Sequence, residues 1–207
     1  DRFARMYAPA IGTGATMDYL GQTGRDALRG ADIIKAAPEK YTSTIEYADN
    51  GIAKYLRDVA RVHLADLGTQ VFYTSHGPFD THFNQPPMHA RLWTEVSAAI
   101  SDFFDDLREH DAGDNLIMMI FTEFGRRVRD NGTGTDHGAG GGAFIIGDQV
   151  KGGMYGDYPS LKPEDLSQGD LAPSYDFRGF YASVVDQWLG LDPVPIVGGK
   201  FEQLQFV

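Results

Sequence analysis

Two short apolar runs, at residues 71–74 and 116–121, limit most strongly what this chain can become. Each is too short for an independent helix, rich in residues that favour extended backbone, and lacking polar alternation. Runs of that kind suit strands buried on both faces, as in a parallel sheet. Between them Leu92, Val96, Ile100, Phe103 and Leu107 recur at three- and four-residue steps, with Trp93, Ala99 and Phe104 widening the stripe. That spacing predicts an amphipathic helix. Strand, helix and strand in this order make a crossover unit. The loops leaving the carboxyl ends of such strands gather at one sheet edge, so Asp80, His82 and Glu123 are expected to meet there. Residues 143–146 close the stretch as a third buried strand.

With 207 residues the chain can hold one domain and bury a substantial core. The expected organisation is a single α/β domain over residues 1–207, with 1–50 peripheral and 51–190 forming the core. A net charge of -11 argues against nucleic acid or an anionic membrane as the main partner, since both would repel it at long range. The absence of cysteine excludes disulfides and thiolate metal sites. No run approaches a membrane span, and residues 1–10 carry no basic-then-apolar leader. The chain opens on Asp1 instead of methionine, as a fragment or processed form would.

Outside the central stretch the patterns read as support. Residues 12–14 look like a glycine turn, without the strand or the lysine that a phosphate cradle needs. Thr23 is expected to cap a short helix through Ile34, ended by Pro38. Ile52, Tyr55, Leu56, Val59, Val62 and Leu67 share one helical face, with Gly68 as terminator. His63 within it is read as structural or solvent-exposed, not as a ligand. Residues 152–156 and 159–173 read as a surface excursion. Asp176 should cap a helix facing inward through Phe177, Phe180, Tyr181, Val184, Val185 and Trp188. Pro193 and Pro195 break it, and residues 201–207 form an edge strand or a docked tail.

The chemistry-bearing residues lie within the central stretch. His76, Asp80, His82 and His89 fall within one short segment, more than a solvated loop requires. Pro86 and Pro87 suit the first turn of a helix, which places His89 near its N-terminus as a neutral ligand or base. The competing reading is a histidine-rich turn satisfied by its own backbone, above all for His76; His110 reads as a helix-end residue bonding the last carbonyls. Glu123, at the end of an apolar run, would be partly desolvated, with its pKa raised unless Arg126, Arg127 or a metal stands beside it. A Glu123 to arginine ion pair that pins the loop fits equally well. Around Asp136 and His137 the sequence is dense in glycine, so the backbone can approach something closely. Asp136 is a ligand itself, or a carboxylate that orients an imidazole.

The motifs Phe79-Asp80-Thr81-His82 with Gln85 and His89, Thr122-Glu123-Phe124-Gly125-Arg126-Arg127, Gly134-Thr135-Asp136-His137-Gly138, Val150-Lys151-Gly152-Gly153 and Asp176-Phe177-Arg178 together resemble the DUF1501 family. That group of uncharacterised bacterial proteins is regarded as related to the sulfatase and alkaline phosphatase superfamily. The resemblance covers the chain from about residue 50 onward and only the C-terminal half of the superfamily pattern. It implies an α/β three-layer sandwich with a mostly parallel central sheet, alkaline-phosphatase-like and incomplete. It also implies a metal-supported site for hydrolysis of sulfate or phosphate esters, and export to the periplasm. Carried over by motif, Asp80 with His82 or His89 resembles the first metal set. Glu123 sits at the second carboxylate and His137 at the late histidine, while Phe124 stands where a histidine is expected.

The candidate metal ligands are therefore Asp80, His82, His89, Glu123, Asp136 and His137, and the candidate catalytic groups are Glu123, His137 and Arg126. Imidazole and carboxylate donors favour zinc, with calcium or magnesium as alternatives and no metal if the site is degenerate. A metal would polarise the ester oxygen and acidify a bound water, and arginine suits the oxygens of a small anionic ester substrate. The competing functions are a non-catalytic binding or scaffold domain and a metal-free hydrolase using Glu123 and His137.

Overall fold

A helix whose apolar side chains repeat every three to four residues buries one stripe and leaves the rest in water, and the longest helix follows that rule closely. In a computed structural model that describes residues 14–36 and 41–207, the elements in chain order are helices α1 (Ala15–Ala36), α2 (Gly51–Leu64) and α3 (Gln85–Glu109), strands β1 (Met118–Ile120), β2 (Gly125–Asp130), β3 (Thr135–Gly138) and β4 (Phe144–Ile146), and helices α4 (Phe177–Ser183) and α5 (Val194–Val197). Leu92, Val96, Ala99, Phe103, Phe104 and Leu107 of α3 are buried as the pattern requires, while Trp93 stays exposed. The expected glycine turn is described only at Gly14, and Pro38 lies outside the described residues. Among the described residues no helix is long and apolar enough to cross a membrane.

The chain divides into two units, one of Asp1–Ser75 with Ala98–His110 and the other of His76–Ser97 with Asp111–Val207. In the first, α1 begins well before Thr23, whose hydroxyl donates to the Tyr19 carbonyl from inside the helix. Asn50 caps α2 by accepting the Ala53 N–H at 3.0 Å. Ile52, Ala53, Leu56 and Ala60 form its buried face, so small alanines take the place expected of Tyr55, which is exposed. The chain leaves α2 through left-handed backbone at Asp66 (φ 50°) and Gly68 (φ 75°).

The most demanding residue of this unit is Asp106, which is fully buried on α3. Its Oδ2 accepts the hydroxyls of Tyr41 at 2.5 Å and Tyr47 at 2.8 Å. Burial and the adjoining carboxylate push both phenols above their ordinary pKa. His110 places Nδ1 2.7 Å from the Asp106 carbonyl and Nε2 2.7 Å from the Thr42 carbonyl. Two carbonyl acceptors require two N–H donors, so this ring is an imidazolium, and its pKa is raised, chiefly by the bond to the Asp106 carbonyl.

The second unit overturns the expected sheet. The strands form two separate two-stranded antiparallel sheets, β1 with β4 and β2 with β3. There is thus no parallel central sheet and no three-layer sandwich among the described residues, and the alkaline-phosphatase-like architecture does not hold. Residues 71–74 are not a strand: Val71 and Tyr73 are 72% and 78% exposed, far from burial on both faces. The run at 116–121 yields only the three residues of β1, each half-buried. The chain returns from β1 to β4 by way of the β2–β3 hairpin, with Met118 opposite Ile146 and Ile120 opposite Phe144. A return without an intervening helix makes an antiparallel pair.

The rest of this unit matches the sequence more closely. Asp176 caps α4 by accepting the Arg178 N–H, although Phe177 faces solvent. The helix continues in a π turn at Val184–Trp188. Residues 201–207 are a docked tail in which Phe206 is buried, Leu204 N–H donates to Ser183 Oγ, and Gln187 Nε2 donates to the Leu204 carbonyl at 2.6 Å.

Candidate functional site

The site is assembled where the loop before α3 meets the β2–β3 hairpin. Pro86 and Pro87 lie in the first turn of α3, where a missing N–H costs nothing. Gln85 ties helix start to hairpin: its N–H donates to the Thr133 carbonyl at 3.1 Å, its Nε2 to the Thr81 carbonyl, and its Oε1 accepts the Thr135 hydroxyl. The hairpin comes close enough that a Cβ on Gly134 would lie 3.0 Å from the His82 carbonyl. Gly125 is likewise required, since a Cβ there would meet the Gly138 carbonyl at 2.6 Å.

This docking brings together Asp80, His82 and His137, whose ligand atoms all lie within 4.8 Å of one another. A single carboxylate oxygen, Asp80 Oδ1, faces His82 Nε2 at 3.1 Å and His137 Nε2 at 2.7 Å. On the other side of the His82 ring, Nδ1 donates to Asp136 Oδ1 at 3.0 Å. The hydrogen bond from His137 holds the Asp80 carboxyl below its ordinary pKa. Hydrogen bonds from His82 and then Asn131 do the same for Asp136. Asn131 also donates to the His82 carbonyl at 2.9 Å. Phe124 stacks on the His137 ring with centroids 3.7 Å apart, and the Arg126 guanidinium lies over Phe124. Beside the cluster an open hollow of about 920 Å³ is lined by His82, Arg127, Arg129, Asp130, Asn131, Asp136 and His137.

The remaining candidates lie elsewhere or are otherwise engaged. His89 Nε2 pairs with the hydroxyl of buried Thr81 at 2.7 Å, which keeps that ring within its own loop. Glu123 is exposed and belongs neither to the cluster nor to the lining of the hollow. Arg126 donates to the carbonyls of Thr135 and Phe79, so it braces the site instead of facing a ligand. His76 pairs with Glu95 at 3.3 Å. Arg129 and Asn131 were not singled out from sequence; Asn131 stands in an Asp-Asn-Gly turn signal, whereas Arg129 has no local signal.

Chemically, the arrangement offers two imidazoles and a carboxylate converging on one point, with a second carboxylate behind one imidazole. Two guanidinium groups lie nearby. A model of the family described as Protein of unknown function (DUF1501) matches residues 34–194, so the chain belongs to that family. No curated protein and no solved structure matches the chain.

Proposed function

From the site of this DUF1501 member we propose a divalent-cation centre, held by Asp80, His82 and His137, that engages a small anionic ester and supports its hydrolysis. One observation carries the reading: Asp80 Oδ1 faces the Nε2 atoms of both imidazoles. A cation taken up here would displace the proton between His82 Nε2 and Asp80, while Nδ1–H of His82 stays with Asp136. The three donor atoms lie close enough together to share one ion. The donor set suits zinc, which in catalytic sites takes three protein ligands and keeps one position open. When bound, such an ion polarises an ester oxygen and lowers the pKa of a water. Asp136 fixes the tautomer and orientation of His82, and Phe124 fixes the plane of His137. Arg127 and Arg129, lining the hollow, present guanidinium groups to sulfate or phosphate oxygens.

A second reading is a binding module without turnover. It is favoured by the lining of the hollow, which among the described residues contains no hydroxyl side chain to act as a nucleophile. Elemental analysis and zinc titration of the purified protein, with Asp80→Ala and His82→Ala, test the centre. Assays on p-nitrophenyl phosphate and sulfate with and without chelator test turnover. One equivalent of metal lost in both variants, with chelator-sensitive turnover, supports the hydrolase. Stoichiometric metal without turnover supports the binding module. No metal in the wild type overturns the metal-supported hydrolase and favours the binding module.

A further inference from the structure

We infer that Asp170 is a positioning residue of the proposed site, clasping both strands of the β2–β3 hairpin and so holding His137 against Asp80. Its consequence for metal binding rests on the reading above; its contact with the hairpin does not. Asp170 lies outside every motif in the sequence, in the long excursion between β4 and α4. Its Oδ1 accepts the Val128 N–H of β2 at 3.3 Å and the Leu171 N–H at 2.8 Å, and its Oδ2 accepts the Ala139 N–H, just past β3, at 3.0 Å. One carboxylate thus ties down both strands. The place is where the ladder needs help, because the β2–β3 register shifts between Arg126 and Asp130. Asp170 takes up the Val128 amide within that irregular stretch.

The turn that delivers Asp170 is built for the task. Ser167 and Asp170 exchange backbone hydrogen bonds of 2.8 and 3.0 Å across Gln168 and Gly169, whose φ values are 55° and 80°. Two consecutive left-handed residues make a type I′ turn, a conformation that a glutamine enters only at a cost. The hairpin accepts this turn at glycines: a Cβ on Gly138 would collide with Asp170 Oδ2, and one on Gly140 would lie 2.8 Å from Leu171 Cδ1. His137 is next to Gly138 in β3, so slack at Ala139 is passed to the imidazole within two residues.

The test is Asp170→Asn, which keeps the size but turns one acceptor oxygen into an N–H donor facing a backbone N–H. Gln168→Pro, which cannot adopt a positive φ, unseats the turn without touching the carboxylate. Amide exchange at Val128 and Ala139 and the His137 imidazole NMR signals are read without metal; zinc affinity and the visible spectrum of cobalt-loaded protein are read with it. Expected in either variant are faster exchange at both amides, a shifted His137 signal, zinc binding weaker by about 10–100-fold and an altered cobalt spectrum. Should Asp170→Asn fail to fold, Gln168→Pro gives the same reading. Wild-type exchange and imidazole signals in a folded variant overturn the inference, as does wild-type zinc affinity. A wild-type protein that takes up no metal defeats the metal reading alone, and the metal-free signals still decide the role of Asp170.

Discussion

Replacing Asp136 by alanine should weaken zinc binding while leaving the fold intact. Asp136 touches no ligand position; it accepts Nδ1–H of His82 at 3.0 Å and meets Asn131 Nδ2 at 3.4 Å. Carboxylates that hold a metal-bound histidine in this way are worth about 10–100-fold in metal affinity. The side chain of Asp136 is 59% exposed, so in the alanine variant water can reach Nδ1–H and replace part of what is lost. The expected loss therefore lies near the lower end, about 10-fold. Competition against a chromophoric chelator measures it, with Asp80→Ala as the reference in which one of the three proposed ligands is gone and binding falls below detection. Circular dichroism and thermal melting of Asp136→Ala should match the wild type. Unchanged zinc affinity in a folded Asp136→Ala variant would refute the role of Asp136 in orienting His82 toward the proposed ion.

Other changes probe the frame around the site. Tyr47→Phe removes one of two hydroxyls on buried Asp106 and leaves the ring, so chemical denaturation should show a loss of about 1.5–3 kcal/mol and melting a drop of roughly 3–12 °C; an unchanged midpoint counts against the buried cluster. His110 has its folded pKa raised above the ordinary 6.5, so its stabilisation is full below that pH and fades as pH rises through the folded value. The pH profile of stability should lose that slope in His110→Gln, and a slope that persists refutes the imidazolium assignment. Gly125→Ala puts a Cβ 2.6 Å from the Gly138 carbonyl and 2.9 Å from the Gly140 nitrogen, all backbone that cannot swing aside. The expected cost is about 1–3 kcal/mol, and an alanine variant as stable as the wild type contradicts the close packing of the hairpin.

The helices were the legible part of this chain, because a repeat of three to four residues states both the element and the face that it buries. Leu92, Phe103 and Leu107 of α3 follow it directly. Strand partners were not legible. A three-residue strand such as β1 carries no sign of whether it pairs in parallel with residues upstream or antiparallel with Phe144–Ile146. The hairpin strand β2, Gly-Arg-Arg-Val-Arg-Asp, hides under its charges. At the site, residue type pointed to Asp80, His82 and His137, and the structure brings those three together. Distance along the sequence did not reveal that His89 turns to Thr81, or that Arg126 is consumed by carbonyls. Asp170 was invisible because its partners are backbone amides, which every residue except proline carries.

The tip of the β2–β3 hairpin looks like a place to graft a tag or an epitope, and Asn131 makes it a poor one. Its Oδ1 accepts the N–H groups of Thr133 and Gly134, and its Nδ2 reaches the His82 carbonyl. The residue that shapes the bend is thus also a strut of the neighbouring loop, and lengthening the bend by one residue shifts the His82 imidazole of the proposed centre at the same stroke. Insertions belong in the exposed stretch near Met154 instead, where among the described residues no backbone hydrogen bond reaches a histidine.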